Sequence, residues 1–130
     1  MPTLDPRDPD VLAFWTERHL CTLTTLRADG SPHVVPVGAT FDAPTMTARI
    51  ITGGGSVKVR NIDGAPDARV AVCQVDGRRW ATIEGTARIS RDAAEIEDAV
   101  QRYAARYRQP RINPERVTIV IAVRRLLGHI

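Results

Sequence analysis

His19 to Phe41 reads HLCTLTTLRADGSPHVVPVGATF, and its pattern decides the fold class. Leu20 to Leu26 is rich in threonine and leucine, Ala28-Asp29-Gly30-Ser31 has turn composition, and His33 to Phe41 is apolar and β-branched. Together they predict a hairpin. Upstream, Asp8 stands as a helix N-cap with Pro9 at the first helical position, leading into Val11, Leu12, Phe14 and Trp15. That predicts a short helix ending near Arg18 or His19. Downstream, Asp42-Ala43-Pro44-Thr45 turns the chain and Thr47 to Thr52 supplies a third strand. Arg69 to Val75 and Arg79 to Ile89 form a second hairpin around Asp76-Gly77. Asp92 and Glu95 have capping-box spacing ahead of a helix whose Ile96, Ala99, Val100, Tyr103 and Tyr107 share one face, and Pro110 and Pro114 end it. Val117 to Val123 is a continuous apolar run suited to a strand buried on both sides.

The expected order is helix, three strands, short helix, two strands, long helix, strand. This is a mainly β (α+β) domain of six antiparallel strands, expected to close into a small barrel and so remove unpaired edges. A chain of 130 residues supports one core, so residues 1–130 form a single domain. Its 43% hydrophobic and 25% charged residues exclude a disordered chain. No apolar run reaches the roughly 20 residues that span a bilayer, and the start of the chain is rich in proline and aspartate where a signal peptide would be basic then apolar. A cytoplasmic protein is expected. Cys21 and Cys73 lie in apolar or β-branched stretches without CxxC spacing and read as core residues.

Net charge is +3, carried by seventeen arginines and one lysine, Lys58. Such a surface favours anionic partners. The arginines are scattered and there are six aromatics, so no stacking platform for nucleic acid appears and a small anionic molecule fits better. There is no nucleophile elbow, HExxH or P-loop, and His19, His33 and His129 are far apart, so neither hydrolysis nor a metal site is expected.

The stretch richest in chemistry is Gly53-Gly54-Gly55-Ser56-Val57-Lys58-Val59-Arg60-Asn61. Glycines let backbone approach a ligand, a helix start presents free N–H groups, and Ser56 and Lys58 add a hydroxyl and a cation. Those are the parts of a phosphate site, although a glycine turn before a capped helix is more often a plain connection. Trp80, beside the second hairpin turn, reads as a packing residue more often than a stacking one.

Beyond these physical readings, His19 to Gly38 resembles the opening hairpin of the pyridoxamine-phosphate-oxidase-like flavin and deazaflavin oxidoreductases. Thr52 to Lys58 with Asn61 resembles that family's phosphate loop, and Gln74 to Trp80 followed by Glu84-Gly85 resembles its next hairpin. Arg102-Tyr103-Ala104-Ala105-Arg106-Tyr107-Arg108-Gln109-Pro110-Arg111 and Asn113-Pro114 are similar to the branch using the deazaflavin coenzyme F420, the F420-dependent biliverdin reductases of actinobacteria. The likeness runs from about Val11 to Gly128. Ala39 departs from it, standing where a bulky residue is expected near the ring.

The resemblance implies a split β-barrel that forms a homodimer with a cofactor groove at the interface. It implies an enzyme that transfers hydride from reduced coenzyme F420 to a conjugated substrate, biliverdin to bilirubin first of all. An FMN-dependent oxidoreductase on the same fold, or a non-catalytic F420 or tetrapyrrole carrier, is the alternative. The cofactor phosphate is expected on Ser56 and Lys58 with Thr52 and Asn61 nearby, and the ring along Pro36, Val37, Gly38, Ala39 and Thr40. Gln74 and Trp80 would wall the groove. Arg79, Arg106 and Arg108 would meet the substrate's carboxylates, and no side chain is expected to act as a catalytic acid or base.

Overall fold

The computed structural model describes residues 2–130. In chain order the elements are α1 (Pro9–Thr16), β1 (Cys21–Leu26), β2 (Pro32–Val37), β3 (Ala39–Asp42), β4 (Thr47–Gly53), α2 (Val57–Asp63), β5 (Ala68–Asp76), β6 (Arg79–Ser90), α3 (Ala93–Arg106) and β7 (Arg116–His129). The local signals hold. Asp8 caps α1 by accepting from Asp10 N at 2.9 Å, and Asp92 caps α3 by accepting from Glu95 N at 3.0 Å. Gly30 sits in its hairpin turn at φ 85° and Gly77 in the second at φ 61°. That second loop is Gly77-Arg78, one residue later than expected, and it leaves Asp76 and Arg79 as the terminal pair of the ladder.

Seven antiparallel strands form one sheet in the order β2-β1-β5-β6-β7-β4-β3. The seventh arises because the expected strand His33–Phe41 is two: it breaks at Gly38, where β2 leaves one edge of the sheet and β3 begins the opposite edge. Two residues of chain span at most about 7 Å, so the two edges must curl around to meet at this joint. They do not pair with one another, and the expected closure is therefore incomplete. The barrel is split along β2 and β3. The break needs glycine: a Cβ at position 38 would lie 2.7 Å from Tyr103 Cε2 and 3.2 Å from Tyr107 Cε2 on the α3 side.

Alternation points Cys21, Leu23, Val70, Val72, Ile83, Ile119 and Ile121 into the barrel, all at most 6% exposed. α1 closes one end with Val11, Phe14 and Trp15, and Val59 and Ile62 of α2 are buried at the other. α3 lies outside, over the split, with Arg102 3.8 Å from Asp42 of β3 and Arg49 of β4 3.6 Å from Asp98.

Candidate functional site

The glycine turn leaves the end of β4, where Thr52 pairs with Val117 and Gly53 with Arg116 of β7. Gly54 N donates to Glu115 O at 2.8 Å, and Arg60 of α2 reaches back to Gly55 O at 2.8 Å, which fixes the turn from both sides. Ser56 occupies the N-cap position in extended conformation, yet its hydroxyl makes no capping bond. Its Oγ is buried and has no hydrogen-bond partner among the described residues. A buried hydroxyl without a partner costs about 1–3 kcal/mol, so a ligand that supplies the partner removes that penalty. Two residues on, Lys58 is half-buried and forms no ion pair or side-chain hydrogen bond among the described residues. Burial alone pushes its ammonium below the usual lysine value of 10.5. An unpaired hydroxyl and an unpaired, partly desolvated cation beside a glycine turn fit a phosphate group. Asn61 is occupied elsewhere, because its Nδ2 donates at 3.0 Å to Thr25 Oγ1, buried inside β1, and so pins α2 to the sheet.

The joint between β2 and β3 is a second centre. Pro36 is exposed, Val37 is buried, Gly38 lies under the stacked Tyr103 and Tyr107 rings (centroids 4.9 Å apart), and Ala39 and Thr40 are buried. The hydroxyl of Tyr107 takes the Ala39 N–H at 3.2 Å and donates to His19 O at 2.6 Å. Arg106 reaches inward beside it, donating from Nη1 to Ala39 O (2.6 Å), from Nη2 to Gln74 Oε1 (2.6 Å) and Phe14 O (3.5 Å), and from Nε to Glu17 O (2.9 Å). Gln74 completes the knot by donating from Nε2 to Phe14 O at 3.1 Å.

This arrangement corrects several expectations. The sequence places Arg106 against a substrate carboxylate and Gln74 in a groove wall, but both are interior, 8% and 1% exposed. For Gln74 the reason is parity, since Val70, Val72 and Gln74 alternate inward on β5; Arg106 is held in by acceptors on Ala39, Gln74, Phe14 and Glu17. The backbone of Ala39, on the stretch expected to carry the ring, is already engaged by Tyr107 and Arg106.

Arg79 is near the surface with its charge balanced. It donates to Glu17 Oε1 at 2.9 Å and to Asp76 Oδ2 at 2.5 Å, and its guanidinium lies 4.6 Å from the centroid of the Phe14 ring. The Arg79 hydrogen bonds, helped by one from His19, hold the Glu17 carboxyl at about 2, and the two carboxylates raise the Arg79 pKa in turn. Glu17, His19 and Asp76 present their ligand atoms within 4.8 Å of one another, with the Arg79 guanidinium bonded to both carboxylates. Trp80 is half-buried, paired with exposed Val75 and with His129 on the neighbouring strands. Arg108 is exposed.

Thr52, Ser56 and Lys58 thus lie along one turn, Ala39, Gln74 and Arg106 meet inside the chain, and Arg79 and Arg108 lie outside both. Sequence reasoning missed Tyr107, whose phenol bonds make it a positioning residue. Its place on the apolar face of α3 disguised it, although a tyrosine beside an arginine just past a helix end was the available signal. Concavities of about 620, 550 and 260 Å³ lie elsewhere, around the loop that ends at Asp67.

Against known proteins, residues 8–129 match the family model described as pyridoxamine 5'-phosphate oxidase. The chain is 55% identical over 119 residues to a protein of Mycobacterium tuberculosis named F420H(2)-dependent biliverdin reductase, covering 92% of this chain and 85% of the other. Among solved structures it is similar to a conserved hypothetical protein of Mycobacterium tuberculosis (TM-score 0.79, 22% identity, 97% of this chain and 85% of that one). It is also similar to a structure titled F420 reductase (TM-score 0.71, 23% identity, 88% and 94%). At these identities the structural likenesses concern the fold.

Proposed function

The chain belongs to the pyridoxamine 5'-phosphate oxidase family, and on that premise we propose that it is a reductase that takes hydride from reduced coenzyme F420 and delivers it to biliverdin. The observation that carries this reading is Lys58, a half-buried cation without an anion among the described residues, two positions after the unsatisfied Ser56 hydroxyl. The named activity of the 55% identical relative supports the choice of cofactor and substrate.

In this reading Ser56 and Lys58 hold the cofactor phosphate, with Thr52 at the end of β4 completing the turn and Asn61 keeping α2 in register. When bound, the deazaflavin supplies the hydride. The chain supplies position: Arg106 and Tyr107 hold the Gly38–Ala39 joint rigid, so the exposed side of Pro36–Gly38 presents a fixed platform for the ring. No side chain is assigned as acid or base.

A homodimer is part of the proposal. The outward residues of β2, β1, β5 and β6 include Val34, Pro36, Leu26, Ala71, Cys73 and Val75, a mainly uncharged face bordered by Arg69 and Glu84, on which Leu26, Val34 and Val75 are 47%, 56% and 64% exposed. A second copy would cover it. No helix among the described residues is long and apolar enough to cross a membrane, and the two free cysteines suit a reducing compartment, so we assign the protein to the cytoplasm. The test is a parallel titration with F420 and FMN, followed by anaerobic mixing of reduced F420 with biliverdin. Oxidation of the deazaflavin with stoichiometric loss of biliverdin supports the proposal, and tighter binding of FMN with no turnover refutes it.

A further inference from the structure

The glycine turn has a neighbour with no part in holding the phosphate. Gly54 N is bonded to Glu115 O at 2.8 Å, and a Cβ on Gly53 would lie 3.7 Å from Asn113 Nδ2, so the segment between α3 and β7 packs against the phosphate turn. That segment is held in place. Arg116 Nη2 donates to Arg111 O at 2.6 Å, Glu115 N to Asn113 Oδ1 at 3.0 Å and Arg116 N to Asn113 O at 3.1 Å. On this anchored loop Ile112 is 97% exposed, more than any other large hydrophobic residue described. Arg108 and Arg111, four residues and one residue before it, are exposed, and their guanidinium groups make no ion pair or hydrogen bond among the described residues. Arg79, Arg88, Arg91, Arg102 and Arg125 are each matched with a carboxylate, and Arg18, Arg69, Arg78 and Arg124 are exposed and unmatched like Arg108 and Arg111; what sets the latter two apart is their place beside an exposed isoleucine on an anchored loop.

An isoleucine fully in water just after two unmatched guanidiniums, on a loop that its own hydrogen bonds hold in place, suits a ligand that is apolar in body and carboxylate at its edge. We propose that Arg108, Arg111 and Ile112 form a lip that binds the carboxylates and adjoining apolar surface of the organic substrate, on the rim of the cofactor-phosphate turn. This rests on the reading that the turn holds a cofactor phosphate. The carboxylates of a cofactor tail would use the arginines but leave Ile112 without a partner, which is why the substrate is the chosen occupant.

The experiment uses the full chain without cofactor, titrated with biliverdin and with its dimethyl ester by quenching of tryptophan fluorescence. F420 and its tail-less deazaflavin are titrated alongside. The double substitution Arg108→Gln/Arg111→Gln is expected to weaken biliverdin binding about tenfold, to leave the ester and F420 unchanged, and to keep the melting temperature, since both side chains are exposed. Ile112→Ser is expected to weaken biliverdin and ester alike. Unchanged biliverdin affinity in the double variant overturns the lip, as does a loss confined to F420 that spares the tail-less deazaflavin. Failure of the wild type to bind biliverdin overturns it too. Turnover of biliverdin by the wild type is the separate control: reduction with unaltered affinity in the variants rejects the lip and leaves the proposed activity standing, whereas weakened binding in the variants without wild-type turnover does the reverse.

Discussion

Replacing Lys58 with alanine isolates the step on which the cofactor assignment depends. In the free protein the ammonium has no ion pair or hydrogen bond among the described residues and is partly desolvated, so its removal takes no such contact away, and the apo protein should melt at the same temperature or slightly higher. Against a bound phosphate the balance reverses. A unit charge pair at about 4 Å with an effective dielectric constant near 20 attracts by roughly 4 kcal/mol, an upper bound. The fold has already borne part of the ammonium's desolvation, so a net of about 1.5–3 kcal/mol is the reasonable share for a charge-assisted bond. That predicts a roughly ten- to hundredfold rise in Kd for F420. The assay is fluorescence titration of the apo protein, repeated across pH. Because the free-state pKa of Lys58 is lowered, wild-type affinity should fall as pH rises through it, since above that pH binding must also protonate the amine. The alanine variant should lack this limb, and Lys58→Arg should restore affinity at high pH. An unchanged Kd in Lys58→Ala, or a loss of binding matched by a loss of apo stability, refutes the reasoning.

Arg106→Met should destabilise the fold by about 3–5 kcal/mol, because it strands the buried acceptors at Ala39 O and Gln74 Oε1; urea unfolding measures it, and a change under about 1 kcal/mol would contradict the interior role. Gly38→Ala should cost about 1–3 kcal/mol through its clash with Tyr103, and Tyr103→Ala in the same chain should recover part of that; strictly additive losses would show that the clash is not the cause. Glu17 and Glu95 have pKa values held at about 2 by Arg79 and Arg88, below the usual 4.5. Depressed folded values mean that the stability these pairs add is complete above about pH 4.5 and is lost as pH falls toward 2, so melting temperature should drop across that window, less steeply at high salt. A Glu17→Gln/Glu95→Gln variant should lose part of that drop.

What was legible in the sequence was local. Asp8, Asp92, Gly30 and Gly77 announce caps and turns through bonds and dihedrals made within three or four residues, and strand alternation separates Leu23, Val72 and Ile83 from their outward neighbours. Composition therefore determined a mainly β domain with three helices, and residue order determined the glycine turn with Ser56 and Lys58, since all of that site's parts lie within seven consecutive positions. What depends on contacts between distant segments could not be read this way. The break at Gly38 follows from Tyr103 and Tyr107, more than sixty residues later, so the apolar run to Phe41 looked like one strand. Arg106 looked like a surface cation because its four acceptors, on Phe14, Glu17, Ala39 and Gln74, are brought to it only when the split barrel curls. Whether a charged side chain faces solvent or stitches an interior is settled by which backbone carbonyls tertiary folding leaves unpaired at that point, and no local pattern encodes that.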